Sequence, residues 1–274
     1  MTEQVKTIRR GRTAKVLAIA LVGLLLAALL WPYASRAVNQ AQRLVNQYSG
    51  LAKLEPEQRS QVCAHRANSL AKYRLARRVF DCIEIDIVIT PEVASEPSVY
   101  HPPDSNYRGL SLEQLLQRLS LPRGILWLDV QDLGEANWSN LYSLLGELIP
   151  VDRRADIVIE TWWADDSAKD AIDAFREAGY LVSYYLPTRE AADCGGHVSE
   201  YCNAFRADVL GTMRLGFSHL SFDARGYEFV QTLRDELPEG TRLLTWHTSR
   251  ILPQMDMLDD VDLYVVRFPT PFNP

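Results

Sequence analysis

The chain has 274 residues, 47% of them hydrophobic, with a formal net charge of −6. Residues 1–15 hold Lys6, Arg9, Arg10, Arg12 and Lys15 against Glu3, a local charge of +4 that leaves −10 on the remainder. That acidity argues against nucleic acid as a partner of the folded part, and the length suits one large core as well as two smaller ones.

In chain order, the basic tail 1–15 is followed by an apolar run from Val16 to Leu30 and then by Trp31, Pro32 and Tyr33. Basic residues before an apolar stretch and aromatics after it predict a membrane signal anchor over 16–34 with the N-terminus inside. Residues 35–60 read as a polar helical stalk. The domain 61–274 is then placed on the far side of a cytoplasmic membrane, periplasmic or extracellular, as a single-pass protein. All four cysteines, Cys63, Cys82, Cys194 and Cys202, follow the apolar run, as an oxidising compartment allows. Cys194 and Cys202 lie in a polar, glycine-containing stretch where a short loop closed by a disulfide is expected. Cys63 and Cys82 occupy matching places on two predicted neighbouring strands, either bridged or as small core residues.

From residue 61 short apolar runs alternate regularly with helical patterns. Strands are predicted at 61–65, 82–89, 124–131, 155–162, 180–187, 217–222, 242–247 and 262–268. Helices are predicted, among others, at 110–119, 137–149, 167–179 and 227–237, the third ended by Gly179. Eight β/α units in this length predict an α/β fold, a (β/α)8 TIM barrel preceded by an N-terminal transmembrane helix; a doubly wound sheet is the alternative.

The segment FDCIEIDIVIT alternates Ile83, Ile85 and Ile87 with Cys82, Glu84 and Asp86, which predicts a half-buried strand. Its two carboxylates then share one face about 7 Å apart, a spacing suited to one divalent cation. An isolated E-x-D would ordinarily face solvent. Here a strand ending in His65 and Arg66 precedes it and His101-Pro102 follows. In a barrel the strand ends gather side chains at one mouth. That rule collects His65, Arg66, Glu84, Asp86, Asp129, Gln131, Glu160, Trp162, Tyr184 or Tyr185, Trp246 or His247, and Arg267. Glu84, Asp86 and Asp129 form a hard-oxygen set for Mg2+ or Ca2+. Glu160 is a further candidate ligand, and His65 and His101 remain for proton transfer. His197 and His219 are read as bystanders or core hydrogen-bonders.

These motifs, His65-Arg66, Glu84-x-Asp86, His101-Pro102, the strand WLDVQD with Asp129, and Trp246, resemble the glycerophosphodiester phosphodiesterase superfamily of phospholipase-C-like barrels. AHRANS and VYHPPDS look closest to its menorin-like branch. The resemblance covers about residues 60–270. It implies metal-dependent cleavage of a phosphodiester, with a small molecule or a lipid or glycan headgroup as substrate. His65 and His101 would be general acid and base, assisted by Arg66, with the metal on Glu84, Asp86 and Asp129. Two positions depart from the pattern: Ala67 stands where glycine is usual, and Gln131 where a lysine is expected. After residue 60 the lysines are Lys72 and Lys169, both on predicted helices, so no other strand supplies one, and Arg66 or Arg267 is expected to carry the positive charge. A non-catalytic ligand- or partner-binding envelope protein on the same barrel is the alternative function.

Overall fold

The computed structural model describes residues 28–35, 38–39, 42, 51–52, 54–90, 96–102, 109–246 and 259–268. The expected basic tail, most of the anchor, most of the stalk and His247 lie outside these residues. Residues 28–35 are helical, with Leu29, Leu30, Trp31 and Tyr33 exposed. Among the described residues no helix is long and apolar enough to cross a membrane.

All eight predicted strands form: β1 Val62–His65, β2 Cys82–Val88, β4 Leu126–Val130, β5 Ile157–Thr161, β6 Leu181–Tyr185, β7 His219–Asp223, β8 Arg242–Trp246 and β9 Leu263–Arg267. They run parallel in sequence order, and β1 pairs with both β2 and β9, so the sheet closes into a barrel. Closure leaves the parallel ladder no free edge. A two-residue strand, β3 (Ser98–Val99), pairs antiparallel with Ile87 and Val88 at the end of β2, beyond the stretch paired with β1. Helices follow the strands as expected, at Leu70–Ala76, Leu112–Arg118, Trp138–Leu148, Lys169–Glu177 and Tyr227–Leu233. Ser69 and Ser111 accept backbone N–H bonds at two of their starts. Gly179, at φ +98°, takes the left-handed conformation just past the third predicted helix.

Strand periodicity decides what fills the barrel. Cys63, Cys82, Trp127, Val158, Leu244, Leu263 and Val265 pack together as its interior, while Ile83, Ile85, Ile87, Leu126 and Leu128 belong to the alternate, also fully buried, face. This corrects the expectation of a half-buried β2: all seven of its residues are buried. Its polar face looks into a closed barrel rather than toward solvent, so both faces are covered.

Cys63 and Cys82 are bridged, joining β1 to β2 inside the barrel, and Cys194 is bridged to Cys202. The second bridge closes a short loop as expected, and that loop joins two helices. Cys194 caps the helix Thr188–Asp193, and Cys202 lies in the first turn of a 14-residue helix, Glu200–Met213. That helix buries only Cys202, Val209, Leu210 and Met213, too sparse a stripe to announce itself in the sequence.

At the opposite end of the barrel from the strand termini that carry the candidate residues, His219 on β7 is buried, its Nδ1 2.7 Å from Ser218 Oγ. It lines a cavity of about 360 Å3 with Arg242, Asp262, Val158 and Leu181 among others. Burial, reinforced by Arg242, lowers the imidazole from 6.5 to about 4. The unfolded chain therefore binds this proton at higher pH than the folded one. The neutral ring's contribution to stability is complete above pH 6.5 and is lost as pH falls toward 4. His219→Gln is expected to flatten that part of the stability-against-pH curve, measured by urea unfolding from pH 7.5 to 4; an unchanged slope would count against this assignment. Replacing both Cys63 and Cys82 with alanine is expected to lower the unfolding free energy by about 2–4 kcal/mol in the same assay.

Candidate active site

The pairing register assembles the site. Glu84 aligns with Trp127, Asp86 with Asp129, and Asp129 with Glu160 across β2, β4 and β5. On the closing side His65 aligns with Arg267 across β1 and β9. His65, Asp86, Asp129, Glu160 and Arg267 sit in the C-terminal halves of their strands, where a barrel opens, and Glu84 lies one inward-facing position before Asp86.

Glu84, Asp86 and Asp129 each offer an oxygen within 4.8 Å of the others. Their remaining contacts hold them in place. Glu84 Oε2 accepts the Arg66 backbone N–H at 2.5 Å and lies 3.9 Å from His65 Nε2. Asn68 clamps Asp86 twice, donating from Nδ2 to Oδ2 at 2.5 Å and accepting the Asp86 amide at 3.0 Å. The second oxygens, Glu84 Oε1 and Asp86 Oδ1, are buried without a hydrogen-bond partner. Buried carboxylate oxygens ordinarily have partners, and two orphaned ones within a group of three carboxylates fit a divalent cation bound by hard oxygens. Burial, then Asp86, push the Glu84 carboxyl well above its usual range, opposed by Arg66. Burial, then Glu160 and Asp86, do the same to Asp129, opposed by a hydrogen bond from Gln131.

Glu160 is built differently. Its Oε2 accepts the Trp127 indole N–H at 2.5 Å and its Oε1 accepts the Ser221 hydroxyl, so both oxygens are engaged by the barrel wall. It stands beside Asp129 but outside the three-carboxylate group. Burial raises it to about 7, with the bonds from Ser221 and Trp127 acting to lower it.

Arg66 has φ +52°, the left-handed region that only Gly, and to a lesser extent Asn and Asp, visits readily. The turn aims its amide at Glu84, while Nε lies 3.6 Å from Asp86 Oδ2. Ala67, in the position where glycine was expected, is fully buried and its amide bonds to the Glu84 carbonyl at 2.9 Å. His101, half-exposed after β3, acts electrostatically on His65. Burial, then Arg66, Lys72, His101 and Arg267, lower the His65 imidazole from 6.5 to about 3, which keeps it neutral. Tyr185 stacks on Trp246 with ring centroids 5.6 Å apart, and Tyr184 is buried against Phe217. Trp162 is exposed at the mouth, its indole N–H on the Gln131 carbonyl at 3.1 Å. Asp132 ties the mouth together, accepting from the Ile89 and Thr90 amides of the segment leaving β2.

Two residues of the site were not singled out in the sequence. Asn68 follows the His-Arg pair directly, and Lys72 sits in the first turn of the helix after β1. Lys72 is buried, and its charge acts on Glu84, Asp86 and His65. Burial lowers its ammonium to about 8, against the opposing pull of Glu84 and Asp86. A buried lysine on a helix rather than a strand thus acts electrostatically on the site.

No family model matches the sequence, nor does any curated protein. Among solved structures the chain is similar to a glycerophosphodiester phosphodiesterase from Agrobacterium tumefaciens str. C58, with a TM-score of 0.40 and 12% identity over 77% of this chain and 96% of that one. A likeness of that size carries no argument; the barrel rests on the strand pairing and the chemistry on the residues.

Glu160→Ala would leave the Trp127 indole N–H unpaired in the interior, while the Ser221 hydroxyl keeps the Tyr184 carbonyl as its acceptor. It is expected to cost on the order of 3 kcal/mol of stability, whereas Glu160→Gln, which keeps the shape and one acceptor, should cost less than about half of that. Urea unfolding followed by tryptophan fluorescence checks both.

Proposed function

We propose that the chain is a metal-dependent phosphodiesterase of the glycerophosphodiester phosphodiesterase type, anchored in a membrane by its N-terminal segment with the barrel outside the cytoplasm. The observation that carries the reading is the convergence of Glu84, Asp86 and Asp129, two of them with buried unpaired oxygens, beside His65 at one mouth of a closed barrel. Such a donor set suits Mg2+ or Ca2+ and not a soft metal. When bound, the cation would polarise a phosphoryl oxygen and offset charge that develops there.

The chain's own groups then divide the remaining work. The Arg66 amide orients Glu84, and Asn68 orients Asp86, so both carboxylates are held before any ligand arrives. One of His65 and His101 takes the proton from the attacking hydroxyl and the other returns a proton to the leaving oxygen. The stacked Tyr185 and Trp246 supply a flat apolar wall for the substrate's organic portion. A small phosphodiester, or the headgroup of a lipid or glycan, fits this arrangement, and the menorin-like strings AHRANS and VYHPPDS favour that branch. Gln131 in place of a lysine favours a binding protein as the second reading.

The deciding experiment compares divalent-metal binding and diester hydrolysis by the wild-type chain, Glu84→Gln and Asp129→Asn, with Mg2+, Ca2+ or EDTA. Each substitution is expected to weaken metal binding by at least about 100-fold, and to abolish turnover. Metal binding without turnover on any diester would favour the binding protein. Lack of metal binding by the wild type would sink the site.

A further inference from the structure

Among the described residues Lys72 is the one lysine or arginine that is buried, at 5% exposure, whereas the Arg66 side chain is 43% exposed and Arg267 is at the surface. An ammonium is buried at high cost unless opposite charge is close by. Glu84 and Asp86 act on Lys72 electrostatically, without a direct ion pair to its ammonium. The position of Lys72 is well determined. Its amide bonds to Ser69 Oγ at 3.2 Å, Ser69 follows Asn68, and Asn68 is clamped to Asp86 by two hydrogen bonds. The start of this helix is thus tied to the carboxylates themselves.

A charge count shows what the ammonium is left to do. Three ionised carboxylates around a divalent cation retain net negative charge, and a phosphodiester brings more. Binding of that anion needs fixed positive charge in the water-poor interior, where it is least screened. A cation that offsets two of the three carboxylate charges leaves Lys72 less fully compensated by them.

We propose that Lys72 is the anion-holding residue of this site, supplying from the helix after β1 the buried positive charge that retains the phosphate group of the ligand. This deepens the phosphodiesterase reading and rests on it. The competing role is purely structural: a counter-ion that lets Glu84 and Asp86 be buried and does nothing for the ligand. The two roles differ in which ligand Lys72 affects.

The test uses the full-length chain, with Mg2+ and inorganic phosphate as probes in titration calorimetry, comparing wild type, Lys72→Gln, Lys72→Met and Lys72→Arg. The expected result is phosphate affinity in the Mg2+-loaded protein about 10-fold weaker in the Gln and Met variants and within about 3-fold of wild type in the Arg variant. Mg2+ affinity should be unchanged or tighter, since a positive charge next to the cation has been removed. Equal phosphate affinity in all four proteins overturns the proposal. So does a fall in Mg2+ affinity that matches the fall in phosphate affinity, or failure of both neutral variants to fold, because each assigns Lys72 to the structural role. A wild type that binds no divalent metal and turns over no diester sinks the phosphodiesterase reading instead, whereas turnover with phosphate affinity insensitive to Lys72 sinks this inference alone.

Discussion

The constraint on which the rest depends is the burial of Glu84, Asp86 and Asp129 within 4.8 Å of one another inside a barrel. Burial first, and then the neighbouring carboxylates, push Glu84 and Asp129 above their usual range. A fold tolerates such a cluster only if other parts of the chain hold it together. Here the holding is distributed. The parallel ladder fixes the spacing of the strands, the Arg66 amide and Asn68 grip the carboxylates, and Lys72 sets a positive charge beside them. The left-handed Arg66 belongs to the same account, because only that turn presents its amide to Glu84.

The barrel separates support from chemistry along its axis. Toward the start of the strands, Cys63, Cys82, Val158, Leu244 and Leu263 fill the interior with apolar volume, and the disulfide joins the two strands that carry His65 and Glu84. One step further along, the inward positions turn polar. Glu160, bonded to Trp127 and Ser221, lies at the boundary and belongs to the wall, since both its oxygens are already engaged. Its neighbour Asp129 on the next strand, similar in chemistry, is the one left facing the cluster.

Much of this is legible in the residues alone. The eight strands form where alternating apolar runs place them, because a parallel strand covered on both faces needs apolar residues wherever it is not functional. That same rule made Glu84 and Asp86 conspicuous. The helices at 188–193 and 200–213 were less legible, since their buried stripes are short and interrupted. Asn68 is not legible as a site residue, because an asparagine beside a helix start ordinarily reads as turn chemistry. Lys72 was set aside because a lysine on a helix ordinarily reads as a solvated one.

The sequence by itself determined which segments are strands, which face of each is polar, and which carboxylates and histidines stand at strand ends. Those follow from a period of two and from the cost of burying polar groups, both of which act locally. Only the tertiary structure decided how these groups divide their work. Ring closure set Asp129 against Asp86, gave Glu160 to Trp127 and Ser221, joined Cys63 to Cys82, and turned Lys72 inward. Each of those outcomes depends on a neighbour brought in from another strand or helix, and on the low dielectric that a closed barrel creates, neither of which has a signature in local sequence.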